Sequence, residues 1–544
     1  MNPQIYKIPQ HPPKNGKNNF SPPRTPCRKK DYFCNFHFKK HKMGNLKKLL
    51  GESVIYGVSS IIGRFLNYLL VPLYTYKIAA SSGGYGLVTN IYAYTALLLV
   101  LLTFGMETTF FYFANRQQDK DPGRIFSTAL GSVGCVALLF VLLCFGFTGS
   151  IASALHYETH PEFIRIMAAV VGLDAFQAIL FAKLRFEHKA WKFALLKLAF
   201  IVGNIGLNLF IFLLAPALSA SHPAWMAWYR PDYQVGYIFV VNLICTASVT
   251  FGFLPELKSL RHGIDFPLLK QMLKYTWPLL LMGIIGILNQ VADKICYRFL
   301  VPGAEGDVQL GIYGACVKIA MIMAMITQAF RYAYEPFVFG EKKGKQSKDD
   351  QAAVMKYFVM FTLFAFLVVV LYLDILKYII KRDYWDGLRA VPVVMIAEIF
   401  MGIYFNLSFW YKQTEKTWWG AIFSGLGCIV LLAINFLFVP KYGYMACAWG
   451  GLAGYGVCML LSFVAGLLLQ NKEPYKAYIV RYPLKSIFAY FTLAMLLYGL
   501  STWLHPQGTG LTLAFNTLLL LVYMTAICYG ERELLKRLLH RRKN

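Results

Sequence analysis

The chain alternates long apolar blocks with short polar connections. Fourteen such blocks lie at about 53–76, 86–113, 124–149, 163–184, 190–215, 236–255, 273–300, 310–338, 354–373, 388–411, 417–439, 445–469, 484–504 and 511–529. Each is close to the roughly 20 residues with which an α-helix crosses a hydrocarbon core. Their apolarity is continuous and does not alternate over stretches of about ten residues, so they are helices and not the strands of a barrel. The pattern predicts an all-α polytopic membrane protein of about 14 transmembrane helices, with the lipid bilayer as its solvent.

Composition narrows the function classes. Of 544 residues, 57% are hydrophobic and only 15% charged, against about 25% charged in soluble domains. That is too little charge to cover the several domains into which a soluble chain of this length would divide. A soluble enzyme, a nucleic-acid-binding protein and a disordered scaffold are all excluded. The net charge of +27 comes from residues between the blocks, where it reports topology. Lys47 and Lys48 precede the first helix. Arg116, Lys120 and Arg124 follow the second, Lys183, Arg185, Lys189 and Lys192 the fourth, and Lys258, Arg261, Lys270 and Lys274 the sixth. Lys342, Lys343, Lys345 and Lys348 follow the eighth, Lys412 and Lys416 the tenth, and Lys472, Lys476, Arg481 and Lys485 the twelfth. Odd-numbered loops carry about one basic residue each, the ninth (Lys377, Lys381, Arg382) excepted. Even loops and both termini are therefore expected in the cytoplasm.

The organisation reads as five parts. Residues 1–42, rich in Pro, Asn and Lys, form a basic tail with too little apolar surface to offset its ordering entropy, and lack the apolar core of a secretory signal. Residues 43–257 hold helices one to six, 258–470 helices seven to twelve, 471–530 helices thirteen and fourteen, and 531–544 a basic cytoplasmic tail. Leu269-Lys-Gln-Met-Leu-Lys before helix seven echoes Asn45-Leu-Lys-Lys-Leu-Leu before helix one, and Gly286-Ile-Leu-Asn-Gln echoes Gly63-Arg-Phe-Leu-Asn. The echoes predict two six-helix bundles related by a parallel repeat, a plan of transporters with a site between the halves, plus two extra C-terminal helices.

Ionisable groups at mid-membrane cost about 2.5–3.5 kcal/mol each on insertion scales and so should face a cavity or a partner. Arg64 lies near the middle of helix one, with Asn67 and Tyr68 on its face. Asp174 and Gln177 share a face of helix four, and Glu398 sits mid-helix ten. Helix seven carries Asn289, Gln290, Asp293, Lys294 and Arg298, and Lys318 lies about two turns into helix eight. These residues form a candidate lumen. The same groups are also suited to structural ion pairs, Arg64 with Asp174 or Glu107 for example. Glu107, Lys197, Arg331 and Glu335 lie nearer the cytoplasmic side, where snorkelling makes anchoring an alternative role; Arg331 and Glu335 are spaced to pair along one helix. Pro72, Pro278, Pro336 and Pro392 fall inside helices one, seven, eight and ten, where proline removes a backbone hydrogen bond and bends the helix. No nucleotide-binding loop, nucleophile elbow or metal-ligand spacing occurs, and most cysteines sit in apolar blocks as small core residues. Neither a cofactor nor a metal is expected.

Ser59-Ser-Ile-Ile-Gly-Arg-Phe-Leu-Asn-Tyr-Leu-Leu-Val-Pro-Leu-Tyr-Thr is similar to the first helix of Wzx-type polysaccharide flippases, in the superfamily that also holds MATE multidrug extruders and the lipid II flippase MurJ. Gly105-Met-Glu-Thr-Thr-Phe-Phe-Tyr-Phe, Leu310-Gly-Ile-Tyr-Gly-Ala, Gln328-Ala-Phe-Arg-Tyr-Ala-Tyr-Glu-Pro-Phe and Tyr404-Phe-Asn-Leu-Ser-Phe-Trp-Tyr-Lys resemble the same group, in order, over about residues 44–530. The resemblance implies a bacterial inner-membrane protein that is not an enzyme and that moves an undecaprenyl-pyrophosphate-linked oligosaccharide across the bilayer for surface polysaccharide or lipopolysaccharide, beside other glycan-assembly membrane proteins. Arg64, Lys294, Arg298 and Lys318 would then meet the pyrophosphate, within a polar lumen of Asn67, Tyr68, Gln177, Asn289 and Gln290. Asp174, Asp293 and Glu398 would balance charge or bind a coupling proton or sodium ion. A multidrug or cation antiporter of the same fold and a membrane glycan polymerase or ligase are the alternatives. Met43, followed by Gly-Asn-Leu-Lys-Lys just before the first apolar block, is expected to be the native start. N-terminal sequencing of the protein from its own membranes should read Met43 or Gly44 first; a terminus at Met1 removes that expectation.

Overall fold

The structure, a computed structural model, describes residues 68–116, 121–257, 263–340, 345–504, 506 and 508–532. Helices α1 (Leu70–Lys77), α2 (Gly84–Thr103), α3 (Met106–Arg116), α4 (Pro122–Gly146), α5 (Pro161–Phe186), α6 (Ala190–Leu209) and α7 (Gln234–Phe251) are followed by α8 (Phe266–Leu300), α9 (Ala304–Gly340), α10 (Lys345–Leu371), α11 (Val391–Leu407), α12 (Trp418–Tyr442), α13 (Tyr444–Leu469), α14 (Leu484–Trp503) and α15 (Thr509–Gly530). Among the described residues, 13 helical stretches are long and apolar enough to cross a membrane, and they coincide with the second to fourteenth apolar blocks. Of the first block only α1 and Tyr68 are described. The fold is all-helical and polytopic.

Leucines 138, 139, 142 and 143 on α4 and Phe436 and Leu437 on α12 are exposed, which is favourable where the surroundings are hydrocarbon. Packing is organised around a few central helices. α5 touches α4, α6 and α7; α11 and α13 lie against each other among α8–α12; α14 and α15 cover α10. α2 stands between, against α5 on one side and α8 and α9 on the other.

Breaks in the helices follow local chemistry. The second apolar block is two helices because Phe104 (φ 53°) and Gly105 (φ 68°) are left-handed, and the Phe104 carbonyl freed by the break accepts from the Thr276 hydroxyl of α8. The fifth block ends in a π-turn at Phe210–Leu214 ahead of Pro216, whose missing N–H cannot continue the α ladder. Pro278 does lie inside α8. Pro392 does not lie inside its helix: it occupies the first turn of α11, after a 3-10 stretch at Arg382–Ala390, where no helical hydrogen bond is lost.

The approach of α2 to α9 depends on missing side chains. A Cβ on Gly311 would stand 3.0 Å from the Gly86 amide nitrogen, and one on Gly86 would collide with the Asp307 carbonyl. Small residues allow such backbone contact between membrane helices. Gly86→Leu should therefore destabilise the protein by about 1–3 kcal/mol, read as a lowered midpoint of thermal unfolding in detergent, while Gly286→Leu, whose Cβ meets nothing within 4 Å, should leave it nearly unchanged. Equal midpoints for the two variants would show that the crossing tolerates bulk.

Candidate functional site

α8 carries five of the predicted polar residues between Asn289 and Arg298, and its neighbours decide what each one does. Lys294 Nζ lies 2.9 Å from both carboxylate oxygens of Asp293 and donates to the Gln290 carbonyl at 3.1 Å. The Tyr313 hydroxyl of α9 donates to Asp293 Oδ2 at 3.0 Å. Lys294 also stands within electrostatic range of Lys318 on α9 and Glu398 on α11. Both are half-buried, and neither has a hydrogen bond or ion pair among the described residues. The three helices thus gather two lysines and two carboxylates, of which one pair is closed and the other two groups are open. This cluster is what remains of the predicted lumen on α8, α9 and α11.

Arg298, predicted to meet the pyrophosphate in that lumen, is instead consumed by a latch at the odd-loop end. Its Nε is 2.7 Å from Asp307 Oδ1, and its Nη2 donates to Asp307 Oδ2 at 3.2 Å. The remaining guanidinium donors reach across to the segment after α4, to the Leu155 carbonyl at 3.3 Å and the His156 carbonyl at 3.0 Å. The guanidinium carbon stands 4.2 Å from the Tyr157 ring centroid. The Tyr157 hydroxyl donates to Asn90 Oδ1 at 2.8 Å, and Asn90 Nδ2 donates to the Lys294 carbonyl at 2.7 Å. A chain of polar contacts therefore runs from Asp307 through Arg298, Tyr157 and Asn90 to the backbone of the Asp293–Lys294 pair. It joins α2 and the α4–α5 connection to α8 and α9. His156 holds a left-handed φ of 60° while presenting its carbonyl, which places strain at the contact.

The other predicted residues are dispersed. Arg64 and Asn67 lie outside the described residues, as does the side chain of Glu335. The Tyr68 hydroxyl is buried without a partner. The Gln177 amide donates to the Thr246 carbonyl and the Thr250 hydroxyl, both at 2.8 Å, and clamps α5 to α7. Asn289 does the same between α8 and α12, donating to the Ser424 carbonyl at 3.0 Å, although its Oδ1 stays buried and unpartnered. Gln290 is exposed. Asp174 belongs to a separate polar group with Thr246, 3.5 Å away, and Lys197. Glu107 pairs with Arg185 at 2.6 Å, an anchoring role, and Arg331 stacks 4.9 Å from the Phe405 ring. Asn90, Tyr157, Asp307 and Tyr313 were missed by sequence reasoning. Asn90 carried a signal, an amide inside an apolar span; the tyrosines among so many others, and Asp307 at the edge of a loop, carried none. No group of three or more metal-ligating side chains exists among the described residues.

The profile of the family described as "Polysaccharide biosynthesis protein" matches residues 49–334. No curated protein matches the sequence. Among solved structures, the fold is similar to the lipid II flippase MurJ in an inward closed conformation, with a TM-score of 0.65, 12% identity, and 89% of this chain and 100% of that chain covered. It is similar also to an inward-facing multidrug resistance MATE family transporter of the MOP superfamily, with a TM-score of 0.59, 14% identity, and 74% and 94% covered.

Removing Arg298 leaves Asp307 and two carbonyls without their donors. Arg298→Ala is expected to speed hydrogen exchange at 153–160 and 303–309 and to cost about 3–5 kcal/mol of stability at that contact. Exchange rates equal to wild type would mean that the odd-loop end is held by the glycine crossing alone.

Proposed function

The chain belongs to the polysaccharide biosynthesis protein family, and from that membership we propose that it translocates an undecaprenyl-pyrophosphate-linked oligosaccharide from the cytoplasmic to the outer leaflet of a bacterial inner membrane by alternating access. The observation that carries this reading is Lys318, a half-buried cation within α9 that pairs with no carboxylate among the described residues, beside Lys294. A pyrophosphate carries at least two negative charges, whose burial is prohibitive unless cations face them. Lys318 and Lys294 supply that charge, the latter by exchanging Asp293 for the phosphate. Arg64, which lies outside the described residues, is the third cation assigned to the phosphate in this reading. The glycan occupies polar space between the halves, and the prenyl chain stays in lipid.

Release of the Arg298 latch opens the outer side in this scheme, and the rocking units are the bundles 43–257 and 258–470. Glu398, which has no ion pair among the described residues, and Asp293, one turn beyond Asn289 on α8, are the groups suited to a coupling proton or sodium ion. One charge crossing 100 mV contributes about 2.3 kcal/mol, enough to bias direction. The same carboxylates favour the second reading, a cation antiporter, in which Lys318 would repel the substrate.

Lys318→Ala and Arg64→Ala should each abolish surface-glycan export with protein level intact, and Glu398→Gln should slow transport under an imposed ion gradient. Full export in Lys318→Ala, or resistance to toxic cations on expression without any glycan defect, would favour the antiporter instead.

A further inference from the structure

A cavity of about 240 Å³ is lined by α2, α4, α5 and the short helix Thr148–Ala154. Tyr94, Phe140, Cys144, Ile151, Leu155 and Ala168 are among the residues that face it. Two of its polar side chains are engaged with the protein: the Thr95 hydroxyl donates to the Ile91 carbonyl at 2.9 Å, and the Tyr157 hydroxyl to Asn90. Such a space is too apolar to hold ordered water, and left empty it forfeits the contacts of its whole lining. The outer face of α4 is bare to lipid at Leu138, Leu139 and Leu142, while Phe140 and Cys144 turn inward to the cavity.

A cation sits at the rim. Thr148, one turn beyond Cys144, donates to the Cys144 carbonyl at 2.7 Å and accepts from Arg165 Nε at 3.0 Å. Arg165 is exposed, one turn before Ala168 on α5, and no carboxylate pairs with it among the described residues. Its other guanidinium donors have no acceptor among the described residues.

We propose that this cavity is a resident lipid site that takes an acyl chain of an anionic bilayer phospholipid, with the phosphate on Arg165. The cations assigned to the transported head lie on α8 and α9, whereas Arg165 is on α5, and the cavity has no polar room for a glycan. Leu155 and Tyr157 are shared between the cavity wall and the Arg298 latch. The chain therefore braces the segment on which the odd-loop end closes. The site stands whether or not the protein moves a glycan.

The test is lipid analysis of the full-length protein, extracted in mild detergent, delipidated, and examined by native mass spectrometry with identification of the released lipid. Wild type should retain about one anionic phospholipid per chain. Ala168→Phe, which fills the cavity, should lose it, and Arg165→Ala should retain about tenfold less, the loss of one charge-assisted contact. Arg165→Ala removes an exposed guanidinium and its one hydrogen bond to Thr148, which keeps its bond to the Cys144 carbonyl, so it decides the matter if the filled variant does not fold. Equal retention in wild type and Arg165→Ala, no retained lipid in wild type, or retention of a polyprenyl phosphate in place of a phospholipid would each overturn the proposal.

Discussion

A guanidinium inside a membrane-embedded helix bundle must be neutralised where it stands, and Arg298 meets that requirement with groups from both sides of the molecule. Asp307 takes its charge within the α8–α9 hairpin, and the Leu155 and His156 carbonyls each accept from it out of the connection after α4. Because all five N–H groups of an arginine seek acceptors in a fixed fork, the contact is specific in geometry as well as charge. Any motion that separates α8 from that connection leaves donors and carbonyls unpaired at once, a cost that makes the closed end a distinct state and not a soft deformation. The glycine crossing of α2 with α9 lies beside it, so backbone contact and charge pairing act together.

The charges at mid-depth divide by whether they have found a partner. Asp293 and Lys294 close on each other next to Tyr313; Lys318 and Glu398 have no ion pair among the described residues. A paired lysine is inexpensive to bury but offers a ligand nothing until its carboxylate moves away, whereas an unpaired one is costly in the empty protein and gains most when an anion arrives. That asymmetry is what a carrier needs, since the loaded and unloaded states must both be reachable. The Asn90 bridge ties the backbone of the paired group to the latch, a physical connection through which occupancy of the cluster can bear on closure of the odd-loop end.

Much of the architecture was legible along the chain. Thirteen described spans fall on the apolar blocks within a few residues, because twenty apolar residues in lipid have no alternative to an α-helix that satisfies its own backbone. The split of the second block was not legible: Phe104-Gly105 resembles any other apolar-glycine pair, and only the Thr276 hydroxyl arriving from α8 makes a left-handed break affordable there. Pro392 was misplaced for a related reason, since apolarity does not distinguish the 3-10 turn at Arg382–Ala390 from the first turn of a helix.

The sequence by itself determined that charged residues such as Asp174, Arg298, Lys318 and Glu398 had to be exceptional, because burying any of them in hydrocarbon is costly whatever the fold. It could not say which were latches, which were clamps and which were left open to a ligand. Only tertiary structure decided that Arg298 faces Asp307 and two carbonyls, that Gln177 and Asn289 are bound to neighbouring helices, and that Lys318 has no carboxylate partner among the described residues. Cost is a property of one residue in one solvent; partnership depends on which helix lies across from it, and no spacing along the chain encodes that.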